Sequence, residues 1–135
     1  MRTTTEDSMA TLPLVLVVDD YSDSREMCAE YLDVCGFRVE QAANGAEALK
    51  KASSTCPDVI LMDLSLPDMD GVEVTRRLKA KRATASIAVI ALTGHGSEHA
   101  DRAREAGCVA FLVKPCHPDA MVEEIKRVLA LKGSS

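Results

Sequence analysis

No CxxC pair occurs among the five cysteines, Cys28, Cys35, Cys56, Cys108 and Cys116. Their odd count and irregular spacing do not match a disulfide framework. Most sit among apolar residues, where a thiol behaves as a small hydrophobe, so the chain reads as a protein of the reducing cytoplasm. No apolar run approaches the roughly 20 residues that a membrane span needs. The N-terminal stretch MRTTTEDSMATLP has no signal-peptide character, and no membrane partner is expected. Positive charge is also scarce: 16 Lys and Arg stand against 21 Asp and Glu, a formal net charge of −5. No basic patch stands out to neutralise phosphates, so direct nucleic-acid binding is not expected. Repeats, low-complexity tracts and interdomain linkers are missing as well. A length of 135 residues then fits one domain with a full hydrophobic core. It is expected over residues 13–132, between a flexible tail at 1–12 and a short one at 133–135.

Glycines and prolines divide the rest into a regular alternation. Leu14 to Val18 (LVLVV) is short and valine-rich, as in a strand buried on both faces. Ser22 to Cys35 has helical spacing, with Met27, Tyr31, Val34 and Cys35 as its apolar stripe, Ser22 as cap and Gly36 as stop. Phe37 to Ala42 is a more polar strand suited to a sheet edge. Asn44 and Glu47 form a capping-box pattern for a second helix running to about Ser53. Asp58 to Asp63 (DVILMD) is a third strand, and Gly71 opens a third helix that runs to about Lys81. Ile87 to Leu92 is a fourth strand, followed by a helix from Ser97 to Ala106 whose inner face is mostly alanine. Val109 to Val113 is a fifth strand. Pro118 suits the first turn of a last helix striped by Met121, Val122, Ile125, Val128 and Leu129. Five β–α units in strict order imply an α/β fold, a doubly wound parallel five-stranded sheet with helices on both faces.

Ligands of such sheets bind beyond the carboxyl ends of the strands. The first strand ends in Asp19–Asp20 and the third in Asp63. The fourth is followed by Thr93, and the fifth ends in Lys114–Pro115. Carboxylates, a hydroxyl and an amine therefore collect at one edge. Two like charges ~4 Å apart cost roughly 4 kcal/mol at an effective dielectric of ~20, and one lysine cannot balance three carboxylates. Hard oxygen ligands in a small site favour Mg²⁺. A central aspartate is then placed to attack phosphorus as a nucleophile, in a reaction that mainly needs positioning and charge neutralisation.

Asp19–Asp20 after an apolar strand, Asp63 in DVILMDLSLPDMDG, Thr93 in VIALTG and Lys114–Pro115 in FLVKP together resemble the receiver domain of bacterial two-component response regulators. The resemblance covers about residues 14–131. It implies the flavodoxin-like (βα)5 fold with strand order 2-1-3-4-5. It also implies a phosphoacceptor rather than a classical enzyme, one that takes its phosphoryl group from a sensor histidine kinase or a histidine phosphotransfer protein. Asp63 would be the acceptor. Asp20 and Asp63 would ligate Mg²⁺ with the Ser65 backbone carbonyl, and Asp19 would act mainly through a metal-bound water. Lys114 would pair with Asp63 and then with the phosphoryl group, next to a cis Lys114–Pro115 bond. Thr93 and the aromatic Phe111 would form the switch. The fourth helix, fifth strand and fifth helix would bind an unidentified output partner or a second copy in a phosphorylation-dependent dimer. Ser65 and His95 occupy the two positions that tune hydrolysis. The chain would be a stand-alone regulator or a receiver cut from a longer protein.

Plainer roles compete for several residues. Asp68 and Asp70 suit the turn and the start of the third helix. Arg76, Arg77, Lys79, Lys81 and Arg82 suit a solvated helix end. His95 and His99 suit loop and cap positions better than a metal site. An Mg²⁺-dependent aspartyl phosphatase would carry DxD after its first strand and a cap domain, where this chain has DD and no room. A flavin-binding module would need a phosphate-cradling loop, which Asp19–Asp20–Tyr21 opposes. An unphosphorylated scaffold would not need the full acidic and lysine set.

Overall fold

The structure, a computed structural model, describes residues 12–94 and 97–133. The expected tails, apart from Leu12 and Gly133, lie outside the described residues, as does His95, and the side chain of His99 is also outside them. The elements alternate as β1 (Leu14–Val18), α1 (Ser22–Val34), β2 (Arg38–Ala42), α2 (Gly45–Thr55), β3 (Val59–Asp63), α3 (Gly71–Ala80), β4 (Ala88–Thr93), α4 (Ser97–Ala106), β5 (Ala110–Val113) and α5 (Pro118–Gly133). The strands form one parallel sheet in the order β2-β1-β3-β4-β5. This is the expected flavodoxin-like arrangement.

Side-chain alternation splits the core into two layers. Leu16, Val18, Ile60, Met62, Val89 and Ala91 face one way, onto Ala48 and Ala52 of α2, Val72, Val74 and Leu78 of α3, and Ala103 and Ala106 of α4. Val15, Val17, Val59, Leu61, Ile90 and Leu92 face the other way, onto Leu32 of α1 and Met121, Val122, Ile125 and Val128 of α5. Every residue of β1, β3 and β4 is buried, as their apolar runs require, while the edge strand β2 is mostly half-exposed.

Helix ends follow local chemistry. Asn44 Oδ1 accepts the Glu47 N–H at 2.8 Å, and Glu47 Oε1 accepts the Ala43 N–H at 2.9 Å. Gly36, at φ +96°, lets α1 stop sharply. Its N–H donates to Asp33 O, and the Phe37 N–H donates to Leu32 O. Phe37 thus closes the helix end rather than opening β2, and it packs in the core with Leu32.

Some sequence expectations fail in detail. The inner face of α1 is Ala29 and Leu32, whereas Met27 and Val34 are 68% and 82% exposed. Tyr21, not Ser22, stands at the cap of α1, and no side chain caps it. Of the cysteines, Cys28, Cys108 and Cys116 have the expected apolar surroundings, while Cys35 and Cys56 are exposed. Lys79 is not part of a solvated run. Its ammonium donates to Ala85 O and Ile87 O, closing the turn into β4.

Candidate functional site

The carboxyl ends of β1, β3, β4 and β5 converge on one cleft. Asp19 follows β1 directly and is buried, while Asp20 is exposed. Both Asp19 carboxylate oxygens are already engaged: Oδ1 accepts the Tyr21 N–H at 3.0 Å, and Oδ2 accepts the Ser24 hydroxyl at 2.9 Å. The Arg25 guanidinium donates to the Asp19 carbonyl, so the start of α1 fixes this aspartate from both ends.

Asp63 is the last residue of β3 and only 4% exposed. Its Oδ1 accepts the Ser65 N–H at 2.9 Å and its Oδ2 accepts the Lys114 ammonium at 2.8 Å. Burial pushes the Asp63 carboxyl above its ordinary range; the Lys114 ammonium and Ser65 N–H pull it back, and the Asp19 charge adds to the rise. Carboxylate oxygens of Asp19, Asp20 and Asp63 lie within 4.8 Å of one another. That is an all-oxygen acidic cluster able to hold a hard divalent cation.

Backbone bonds fix the remaining members. The Lys114 N–H donates to Thr93 O, the Leu64 N–H to Leu92 O and the Gly71 N–H to Leu64 O. A Cβ on Gly71 would lie 2.5 Å from Asp63 O and 2.9 Å from Leu64 Cα, so only glycine lets α3 start this close to the site. Asp70 caps α3 through the Glu73 N–H at 2.9 Å, as expected. Asp68 does something else: its carboxylate accepts the N–H groups of Gly45 and Ala46 at 2.8 and 2.9 Å. Those bonds hold its pKa below the usual carboxylate range and tie the β3–α3 loop to the start of α2. The Lys114–Pro115 bond is cis.

The structure therefore brings together Asp19, Asp20, Asp63, Ser65, Thr93 and Lys114, all singled out in the sequence. Asp63, Ser65, Thr93 and Lys114 line a cleft of about 150 Å³, together with Leu64, Val72, Gly94, Asp70 and Arg102. Phe111 is not among these lining residues; it is partly buried against the α2–α4 layer, with the Arg104 guanidinium 4.9 Å from its ring centre.

Two features escaped the sequence. Arg102 of α4 bridges to Asp70 at 3.1 Å across the cleft mouth, a pairing between positions 32 apart that no local pattern announces. Beside the cleft lies a larger apolar groove of about 890 Å³, reached by Tyr21, Met27, Cys28, Pro115, Met121 and Lys114. The outward turn of Met27 was its missed signal.

Among the described residues no helix is long and apolar enough to cross a membrane. The family described as the response regulator receiver domain matches residues 15–126. Curated relatives include the transcriptional regulatory protein PrrA of Mycobacterium bovis, 36% identical over 96% of this chain and 55% of that protein. Another is sporulation initiation phosphotransferase F of Bacillus subtilis, 32% identical over 89% of this chain and 96% of that protein. The chain thus spans about half the length of the transcriptional regulators it matches. Among solved structures, the chemotaxis response regulator CheY4 of Vibrio cholerae superimposes with a TM-score of 0.83 at 34% identity, covering 87% of this chain and 99% of that one. A family match across most of the chain, on a sheet of the same strand order, leads to one conclusion: the chain belongs to the response regulator receiver domain family.

Proposed function

We propose that this chain is a phosphorylation switch in which Asp63 accepts a phosphoryl group from a phosphohistidine of a sensor kinase or phosphotransfer protein. The carrying observation is the geometry of Asp63, buried in an acidic cluster yet 2.8 Å from one ammonium at the mouth of a small cleft. One Asp63 carboxylate oxygen bonds to phosphorus as the P–N bond breaks, and the imidazole keeps the electron pair. The Ser65 N–H and Lys114 hold the carboxylate in place, and Lys114 stays beside the phosphoryl oxygens afterwards.

The donor set fits Mg²⁺. Asp20, Asp63 and the Ser65 carbonyl would hold the ion directly, and Asp19 would add its charge from beside them. Bound there, Mg²⁺ supplies the charge neutralisation that phosphoryl transfer requires. The donor protein docks on the apolar groove lined by Tyr21, Met27 and Met121, which shares Asp19 and Lys114 with the site. Thr93, joined to Lys114 through its carbonyl, and Phe111 carry the change to the α4–β5–α5 face, where the output partner or a second copy binds. Ser65 and His95 set the phosphoryl lifetime. The free thiols support a cytoplasmic setting.

Incubation with acetyl phosphate and Mg²⁺, read by intact mass, is expected to add roughly 80 Da, one phosphoryl group. No adduct, or one that survives Asp63→Asn unchanged, overturns the proposal.

A further inference from the structure

Among the described residues, the acceptor cleft has two cationic side chains on its lining, Lys114 and Arg102. Lys114 is committed to Asp63. Arg102 is held instead by Asp70, with Nη2 to Oδ2 at 3.1 Å, and both side chains are about half exposed. An ion pair this open is weak and easily exchanged. Asp70 also keeps a second task, because its Oδ1 accepts the Glu73 N–H and caps α3. Releasing Arg102 therefore leaves Asp70 anchored and α3 capped.

We infer that Arg102 is a phosphoryl-binding residue that leaves Asp70 for the phosphoryl oxygens on Asp63 and thereby couples the acceptor to α4. The inference rests on Asp63 being the phosphoacceptor. A phosphoryl group carries about −1.5 to −2 charges and three strong acceptor oxygens. Among the described lining residues, Lys114 and Arg102 are the cations and Asp63 and Asp70 the carboxylates, with Asp19 and Asp20 adding negative charge beside Asp63. After transfer the balance moves to the Asp63 side. Lys114 is a single point charge, whereas a guanidinium presents a planar fork that fits phosphoryl oxygens two at a time. Arg102 therefore offers the new oxygens a paired contact that Lys114 does not.

The consequence lies in α4. Arg104 sits two positions on, about 200° around the helix, with its guanidinium over Phe111. Among the described residues of α4, only Ala103 and Ala106 are buried, so little apolar contact resists its movement. Drawing Arg102 toward the cleft draws Arg104 away from the ring and frees Phe111 to change position. Acceptor and aromatic switch are thereby joined through two arginines of one helix.

The test uses the full chain with Mg²⁺, acetyl phosphate for intact mass and beryllofluoride as the phosphoryl mimic for amide NMR. Arg102 is exposed, so its substitutions leave the core intact. Arg102→Gln is expected to accept the adduct yet lose about threefold or more of the beryllofluoride-induced shifts at Arg104 and Phe111, while those at Lys114 persist. Arg102→Lys keeps the charge and is expected to restore part of the response; Asp70→Asn keeps a capping side chain and is expected to leave it at full size. An Arg102→Gln chain that is phosphorylated and shifts at Phe111 like the native protein overturns the inference alone. A native chain that takes no adduct overturns the phosphoacceptor reading and this inference with it.

Discussion

Helices α4 and α5 flank β5 from opposite faces of the sheet and are held there by different chemistry. α5 buries Met121, Val122, Ile125 and Val128, and burying a large aliphatic side chain contributes roughly 1.5–3 kcal/mol. Polar groups add to its hold: Tyr31 Oη of α1 donates to Asp119, and the Lys132 ammonium donates to Asp58 O at 2.8 Å. Among its described residues α4 buries only Ala103 and Ala106. Among its described side chains, the polar and cation–π ties to other elements are the Arg102–Asp70 pair and the Arg104–Phe111 stack, both at exposed arginines. Apolar contact is lost only when an element leaves its seat, whereas an exposed ion pair can change partners in place. The helix beside the candidate switch thus has the exchangeable attachments, and its counterpart across the sheet has the permanent ones.

The largest test of that contrast is in the core. Ile125 is fully buried, and Ile125→Ala is expected to cost about 2–5 kcal/mol in denaturant unfolding. Ala103 is equally buried, but Ala103→Gly is expected to cost only about 1 kcal/mol, the helix-propensity difference. Native-state hydrogen exchange should rank the helices the same way, with α4 amides opening well before those of α5. Equal costs at the two sites, or equal protection, would break the comparison.

A second test concerns the α1–α5 seam. Cys28 Sγ meets Met121 Sδ at 3.2 Å, and burial, aided by the Asp19 charge, pushes its thiol up to about 12 from 9.0. The thiolate is the reactive form. Near pH 8, iodoacetamide is expected to alkylate exposed Cys35 and Cys56 about tenfold or more faster than Cys28, as peptide mass mapping would show. Because the folded pKa exceeds the unfolded one, this thiol's contribution to stability is complete below about pH 9 and is lost as pH rises toward 12. Tyr31 has the same sign, raised to about 12 from 10.0 by its hydrogen bond to Asp119. Unfolding free energy measured across that alkaline range should fall less in Cys28→Ala than in the native chain, and an unchanged slope would remove Cys28 from the seam's titration.

The sequence disclosed what local chemistry decides. The apolar strands, the Asn44–Glu47 box, the Gly36 stop and the Pro118 start each depend on a few adjacent residues, and all were legible. The acidic cluster was legible too, because parallel β–α alternation forces the ends of β1, β3, β4 and β5 to one edge. Hidden features depended on distant choices. Met27 and Val34 fit helical spacing as well as Ala29 and Leu32 do, and tertiary packing buried the second pair while leaving the first exposed. Asp68 looked like a cap for the nearby α3, yet it caps α2, whose start is 23 positions away. Lys79 sat in a basic run that suggested solvent, while its ammonium was needed by two carbonyls of the following turn. Arg102 and Asp70 meet only because α3 and α4 are neighbours in the folded chain.

The smallest effect sharpens the comparison most narrowly. Arg104→Ala removes the guanidinium from the Phe111 ring, and an exposed cation–π contact contributes only about 0.5–1 kcal/mol. Global stability should therefore barely change, whereas exchange of α4 amides should quicken and α5 should keep its protection. Arg104 also pairs with Asp101 one turn back, at 3.1 Å, so Asp101→Asn serves as the control. If Asp101→Asn quickens α4 as much as Arg104→Ala does, the helix is held by its own surface charges and not by the ring. If α5 loses protection along with α4, the two helices open as one unit. Their different cores would then not translate into different mobility, and the division between a fixed helix and an exchangeable one would fail on dynamics even though it holds in the packing.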